Sequence, residues 1–258
     1  MLQRDSDERR AEGRLSESKK PPGPSIIALV PAFNEEENIS EVIHQAYKFS
    51  SRVLVCDDGS TDSTYRLSLD SGAEVIRHEC NLGYGAALRS LFLRAKYMPA
   101  DAFVTIDSDG QHDSRFIPAI TDFIVRREAD LVIGSRFLSA KLDFTPSHRK
   151  VAIKLITSLV NLTGQTALTD LQSGFRAYNS RALSVACPSR NGMGASTEII
   201  RRAARSGLKI REIPVPVYYR GRQPSLLSTI LQFLDVLRST MGSNYGIPSP
   251  ERSDTITS

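Results

Sequence analysis

Long apolar runs are missing from this chain of 258 residues: no stretch reaches the roughly eighteen apolar residues that cross a bilayer, so no transmembrane helix is expected. Cysteine is scarce. Cys56, Cys80 and Cys187 are odd in number and widely spaced, which excludes a disulfide framework and a cysteine-based zinc cluster and fits a reducing compartment. The first residues are charged rather than apolar, so no secretory leader is expected. No basic helix with interleaved aromatics occurs either, which argues against nucleic acid as a partner. Lys+Arg 33 against Asp+Glu 29 leaves a net charge of +4, a mild excess that suits an anionic substrate or a membrane surface.

What is present is enough apolar material, 40% of residues, to bury the core of one domain. Residues 1–24 and 242–258 are polar and carry nothing to pack, so both read as disordered tails. Between them apolar runs alternate with helical patterns. Strands are expected at Ser25–Val30, Arg52–Cys56, Glu74–Arg77, Ala102–Ile106 and Leu131–Ile133. Helices are expected at Glu35–Phe49, Ser63–Ser71, Tyr84–Tyr97 and Arg115–Arg127. Such alternation implies an α/β fold, a mainly parallel sheet covered by helices on both faces. Beyond residue 135 the pattern loosens to a helix over Arg149–Leu162, another near Thr197–Arg205 and a strand-like Lys209–Tyr219. A last helix over Leu226–Met241 carries an apolar stripe of Leu227, Ile230, Leu231, Leu234, Leu237 and Met241, which either packs on the domain or lies in a membrane interface.

The chemistry concentrates where strands end, the edge at which open α/β sheets collect ligands. In Ile106-Asp107-Ser108-Asp109-Gly110-Gln111-His112, two carboxylates follow an apolar strand. Residues two positions apart in an extended segment point the same way, so Asp107 and Asp109 can face one divalent cation. Mg²⁺ is usually held by one or two carboxylates plus substrate phosphates, which makes this a metal–diphosphate site. In Val55-Cys56-Asp57-Asp58-Gly59-Ser60-Thr61-Asp62, Asp57 and Asp58 would repel one another unless something uses them, and a base N–H or ribose hydroxyl would do so. Asp62 reads as the cap of the next helix. Asn81-Leu82-Gly83-Tyr84-Gly85 permits a tight turn into a helix whose N-terminus favours negative charge, or is a plain turn. In Pro31-Ala32-Phe33-Asn34-Glu35, Asn34 can cap a helix, or the segment can wall a nucleoside pocket. No Gly-x-Gly-x-x-Gly follows the first strand, which disfavours a dinucleotide-dependent dehydrogenase.

Taken in order, Pro-Ala-Phe-Asn-Glu, Asp-Asp-Gly-Ser-x-Asp, Asn-x-Gly-x-Gly, Asp-x-Asp-Gly-Gln-His and Gly134-Ser135-Arg136 resemble the inverting family-two glycosyltransferases. Within them the chain is most similar to the polyprenyl-phosphate sugar transferases, the dolichol-phosphate mannose or glucose synthases. The resemblance spans Ser25 to Ser225 and implies a single GT-A (Rossmann-like) domain over 25–225, a nucleotide-sugar donor, and Mg²⁺ or Mn²⁺. It implies that Pro31, Phe33, Glu35, Val55, Asp57 and Asp58 hold the nucleoside. Asp107, Ser108 and Asp109 would meet the diphosphate, with metal on Asp107 and Asp109 and Gln111 close by. Arg136 would meet phosphate charge, Arg149 and the Ser173-Gly174-Phe175-Arg176 segment would face the acceptor phosphate, and Arg220 would return to the donor. Relatives often place a lysine after the serine of that last loop; here Leu226 follows Ser225, and Arg222 is the nearby cation.

A lipid phosphate is already ionised at neutral pH, so the implied transfer relaxes the need for a general base. Asp109, Arg136, Arg149 and Arg220 would then do the work by placing the reactants and stabilising the leaving diphosphate. His112 orders the metal loop in this reading, and Glu198 is an ordinary helix residue. Transfer to a saccharide hydroxyl would need a carboxylate base, for which Asp170 is the candidate. A noncatalytic nucleotide-sugar-binding subunit is the third reading. The expected setting is peripheral, on the cytoplasmic face of a membrane, alone or with a membrane-protein partner.

Overall fold

The computed structural model describes residues 23–138 and 167–218, with scattered helical positions between 150 and 161. Arg149, Arg220, Arg222, the 226–241 helix and the tails at 1–22 and 242–258 lie outside the described residues. Seven strands form one mixed sheet: β1 Ile26–Ala32, β2 Arg52–Asp57, β3 Glu74–Arg77, β4 Ala102–Thr105, β5 Leu131–Ser135, β6 Arg176–Tyr178 and β7 Ile210–Pro214. Their spatial order is β3-β2-β1-β4-β6-β5-β7. The pairs β1/β2, β2/β3, β1/β4 and β5/β7 are parallel, and β6 runs antiparallel between β4 and β5.

The helices are α1 Ile39–Tyr47, α2 Thr64–Asp70, α3 Tyr84–Ala95, α4 Ile117–Val125, α5 Ser180–Val185 and α6 Ala195–Arg205. Every residue of β1 is buried, because its alternating side chains feed two cores. Ile27 and Leu29 pack with Leu88, Leu91 and Phe92 of α3 and Ile199 and Ile200 of α6. Ile26, Ala28 and Val30 pack with Ile39, Val42 and Ile43 of α1 and Ile117, Ile120 and Ile124 of α4. Each fully buried Ile or Leu contributes about 1.5–3 kcal/mol, so this sandwiched strand is the anchor of the fold. From β1 the chain order runs outward to β2 and β3 on one side and to β4 on the other. That reversal is a topological switch point, and it opens a crevice at the carboxyl ends of β1 and β4.

The structure departs from the sequence reading in several places. The first helix begins at Ile39 rather than Glu35, because Asn34 takes a positive φ of 54° and the Glu35 carbonyl closes a turn onto the amides of Asn38 and Ile39. The helix expected from Arg115 starts as a 3₁₀ turn over Ser114–Phe116. The strand expected to reach Tyr219 ends at Pro214, and Val217 instead pairs with His112. β6 and α5 were not anticipated at all.

Candidate active site

A cavity of about 460 Å³ sits over the switch point, within the range of small-molecule sites. The turn after β4 supplies its acidic floor. Asp107, Ser108 and Asp109 all line it, although β4 stops at Thr105 and the carboxylates are presented by the following turn rather than by strand alternation. The Asp109 carboxylate accepts from the Gln111 amide at 3.0 Å, which closes that turn. Asp107 is held from both sides: its Oδ1 accepts from the Tyr84 hydroxyl at 3.2 Å, and its Oδ2 lies 3.3 Å from His112 Nε2. Burial pushes the Asp107 carboxyl up, but the His112 and Tyr84 hydrogen bonds and the Arg136 charge hold it below the usual carboxylate range. The His112 ring stacks on Phe175 with centroids 5.3 Å apart.

Glu35, on the loop after β1, lines the same cavity. Its carboxyl is pushed up by burial, partly offset by the Asn38 side-chain bond, and raised further by the charges of Asp109 and Asp107. Three carboxylates therefore share one field, which favours a cation among them. Among the described residues no group of three or more His, Cys, Asp or Glu side chains forms a metal cage. Two carboxylates open to a cavity fit a hard divalent ion that takes its remaining ligands from substrate phosphate and water.

The nucleoside wall implied by the resemblance is only partly in place. Pro31, Phe33 and Glu35 line the cavity, with Phe33 41% exposed at its mouth. Val55 is buried inside β2 within the core and does not line it. The adjacent acids Asp57 and Asp58 are kept apart in function. Asp57, fully buried, lies 3.2 Å from Arg77 Nε and accepts from the Ser60 amide. Asp58 does reach the cavity, but its oxygens already accept from His78 Nδ1 at 2.6 Å and from the amides of Leu82 and Gly83 at 3.0 and 2.7 Å. Asp62 accepts from the Thr64 amide at 2.9 Å, but it lies one residue before the helix cap, which is Ser63 and not Asp62 as the sequence suggested.

On the opposite wall Arg136 reaches the cavity while forming a bidentate pair with Asp170 at 2.6 and 2.7 Å. Asp170 has no exposed surface, and burial alone would push its carboxyl up. The Arg136 charge and the hydrogen bonds from Arg136 and Gln172 outweigh burial and hold it below the ordinary range. Two residues expected to face an acceptor are instead structural. Ser173 is buried and its hydroxyl accepts from the Phe175 amide; Arg176 is buried in β6 and donates to the carbonyls of Leu171 and Ser196 at 2.7 and 3.1 Å. The reason is the antiparallel insertion of β6, which turns Arg176 inward to tie the preceding loop to the start of α6. Gly174 does line the cavity, and its backbone lies so close to the Asp107 carboxylate that a Cβ there would overlap it.

Tyr84, Gln172, Met193 and Val217 also line the cavity and were not anticipated. For Tyr84 a signal was available, an aromatic phenol between two glycines at a helix start. Met193 and Val217 come from loops with no local signature. Glu198 proves to be a brace: its carboxylate accepts from the amides of Ser189 and Arg190 and fixes the loop that carries Met193.

The profile of glycosyl transferase family 2 matches residues 27–185, more than half of the chain. The chain belongs to this family. Among curated relatives of this family-2 chain, a UDP-N-acetylglucosamine–dolichyl-phosphate N-acetylglucosaminyltransferase of Methanococcus voltae is 29% identical over 215 residues, covering 75% of this chain and 86% of the relative. An undecaprenyl-phosphate mannosyltransferase of Micrococcus luteus is 28% identical over 214 residues, covering 79% and 87%. The architecture matches that of glucosyl-3-phosphoglycerate synthase from Mycobacterium tuberculosis, crystallised with Mn²⁺ and UDP-glucose, with a TM-score of 0.68 at 24% identity over 85% of this chain and 78% of that one. The fold is therefore GT-A, and the protein is a family-2 glycosyltransferase.

Proposed function

We propose that this glycosyltransferase moves a sugar, with inversion, from a nucleotide sugar to a polyprenyl phosphate at the cytoplasmic face of a membrane. The observation that carries the choice of acceptor is the state of Asp170. Buried, bidentately paired and held ionised by Arg136, it is a poor base for a sugar hydroxyl, whereas a phosphate oxygen needs none. The named relatives that use dolichyl and undecaprenyl phosphate support the same class of acceptor.

In this reading an acceptor phosphate oxygen attacks the anomeric carbon, the bond from that carbon to the donor diphosphate breaks, and a nucleoside diphosphate leaves. A divalent ion on Asp107 and Asp109, with Gln111 beside them, would supply charge neutralisation for the diphosphate. Phe33 and Glu35 flank the donor. Arg136, pre-set by Asp170 at the cavity wall, would offset repulsion between acceptor and donor phosphates, and Arg149 and Arg220 are assigned to acceptor and donor on the resemblance. Among the described residues no helix is long and apolar enough to cross a membrane.

The test uses purified protein, Mg²⁺, polyprenyl phosphate and radiolabelled GDP-mannose, UDP-glucose or UDP-N-acetylglucosamine. Label is expected in the organic phase with one donor, and Asp109→Ala should lower it by about 10²-fold or more. Label recovered only in a water-soluble saccharide would overturn the choice of acceptor.

A further inference from the structure

We infer that Tyr84 is a positioning residue for the metal–diphosphate site, held in place by an Asp58–His78–Ser90 array; the inference rests on the reading of Asp107 as a metal ligand. The array is continuous. His78 Nδ1 lies 2.6 Å from Asp58 Oδ1, and His78 Nε2 lies 2.8 Å from the Ser90 hydroxyl on α3. A carboxylate only accepts, so Nδ1 carries the proton, and in the neutral ring Nε2 accepts from Ser90. Ser90 does not line the cavity, so the array is no nucleophile–base pair aimed at substrate.

Its product is a fixed entry into α3. Asp58 accepts from the amides of Leu82 and Gly83, and from the other side the Asn191 carbonyl accepts from the Gly85 amide at 2.6 Å. Gly83 takes a φ of 100°, and a side chain there would overlap that same Asn191 carbonyl. With both flanks pinned, Tyr84 is delivered against the core, and its hydroxyl reaches Asp107 Oδ1 while His112 holds Oδ2. A phenol hydroxyl carries its proton at neutral pH and a carboxylate only accepts, so Tyr84 is the donor of this bond. Donors on both oxygens fix the rotation of the carboxylate and leave further lone pairs toward the cavity. Groups that orient a metal-binding carboxylate in this way typically govern 10–100-fold of metal affinity.

The experiment measures Mn²⁺ binding to the full chain by the loss of the free-ion paramagnetic resonance signal, with UDP or GDP present. Tyr84→Phe should weaken binding roughly 10-fold. His78→Gln, which loses the donor at the Nδ1 position, should do the same, and His78→Asn, whose amide nitrogen can occupy that position, should restore it. Tyr84→Phe keeps the ring in the core and decides the point if a His78 variant unfolds. Wild-type affinity in Tyr84→Phe, or equal loss in both His78 variants, would overturn the inference alone. Equal Mn²⁺ binding by wild type and Asp107→Asn would overturn it together with the metal-site reading.

Discussion

A carboxylate without exposed surface stays charged only beside a fixed cation, and Asp170 has Arg136 in a two-point grip. The pair is also an electrostatic statement about the cavity, because Arg136 arrives there already oriented. Removing one partner strands the other. Asp170→Asn should cost about 3–5 kcal/mol at neutral pH, measured by denaturant unfolding. The pH dependence follows from the depressed folded-state carboxyl. Its contribution is fully present above the unfolded value of about 3.9 and is lost as pH falls through the lower folded value. The stability gap between wild type and Asp170→Asn should therefore be flat from pH 5 to 8 and narrow below about pH 4. A gap that stays constant into acid would show that the charge on Asp170 does not carry the effect.

At the scale of elements, the strands β1, β2, β4 and β5 were legible because each is an apolar run short enough to be a buried strand. β6 was not. Its three residues, Arg-Ala-Tyr, have no apolar run, and its existence depends on the long-range register Phe103↔Tyr178 and Leu131↔Tyr178, which local pattern cannot show. The same blindness left nothing in the local sequence to correct the acceptor role that the resemblance implied for Arg176, which the partner strands bury. Asp107 and Asp109 were legible as a pair, but not the turn that presents them. The lead-in to β6 makes its own demand. Thr105 Oγ1 donates to the Gly174 carbonyl at 2.7 Å and clamps that backbone against Asp107, where there is no room for a methyl group. Gly174→Ala should cost about 1–3 kcal/mol in thermal unfolding. By displacing the Asp107 carboxylate it should also lower metal-dependent turnover about 10–100-fold. Normal turnover in a folded Gly174→Ala protein would mean that the carboxylate has freedom the packing denies it.

For the molecule as a whole, the cavity borrows from both wings of the sheet. β1, β2 and β4 contribute their carboxyl ends, while the β5–β6–β7 wing contributes Arg136, Gly174 and Val217. Occupancy of the cavity should therefore stabilise the entire domain, because a ligand that binds only the folded state shifts unfolding by mass action. At a hundred times its dissociation constant the gain is about 2.7 kcal/mol. For a domain of about 200 residues that corresponds to a rise in Tm of roughly 5–10 °C. Mn²⁺ and the cognate nucleoside diphosphate together should produce this rise in a scanning experiment, and each alone should produce much less, because each completes the other's coordination. In an Asp107→Asn/Asp109→Asn protein the nucleotide should retain its own small shift while Mn²⁺ adds nothing to it. If Mn²⁺ still added several degrees there, its ligands would have to lie elsewhere, and the acidic turn after β4 would lose its assigned role.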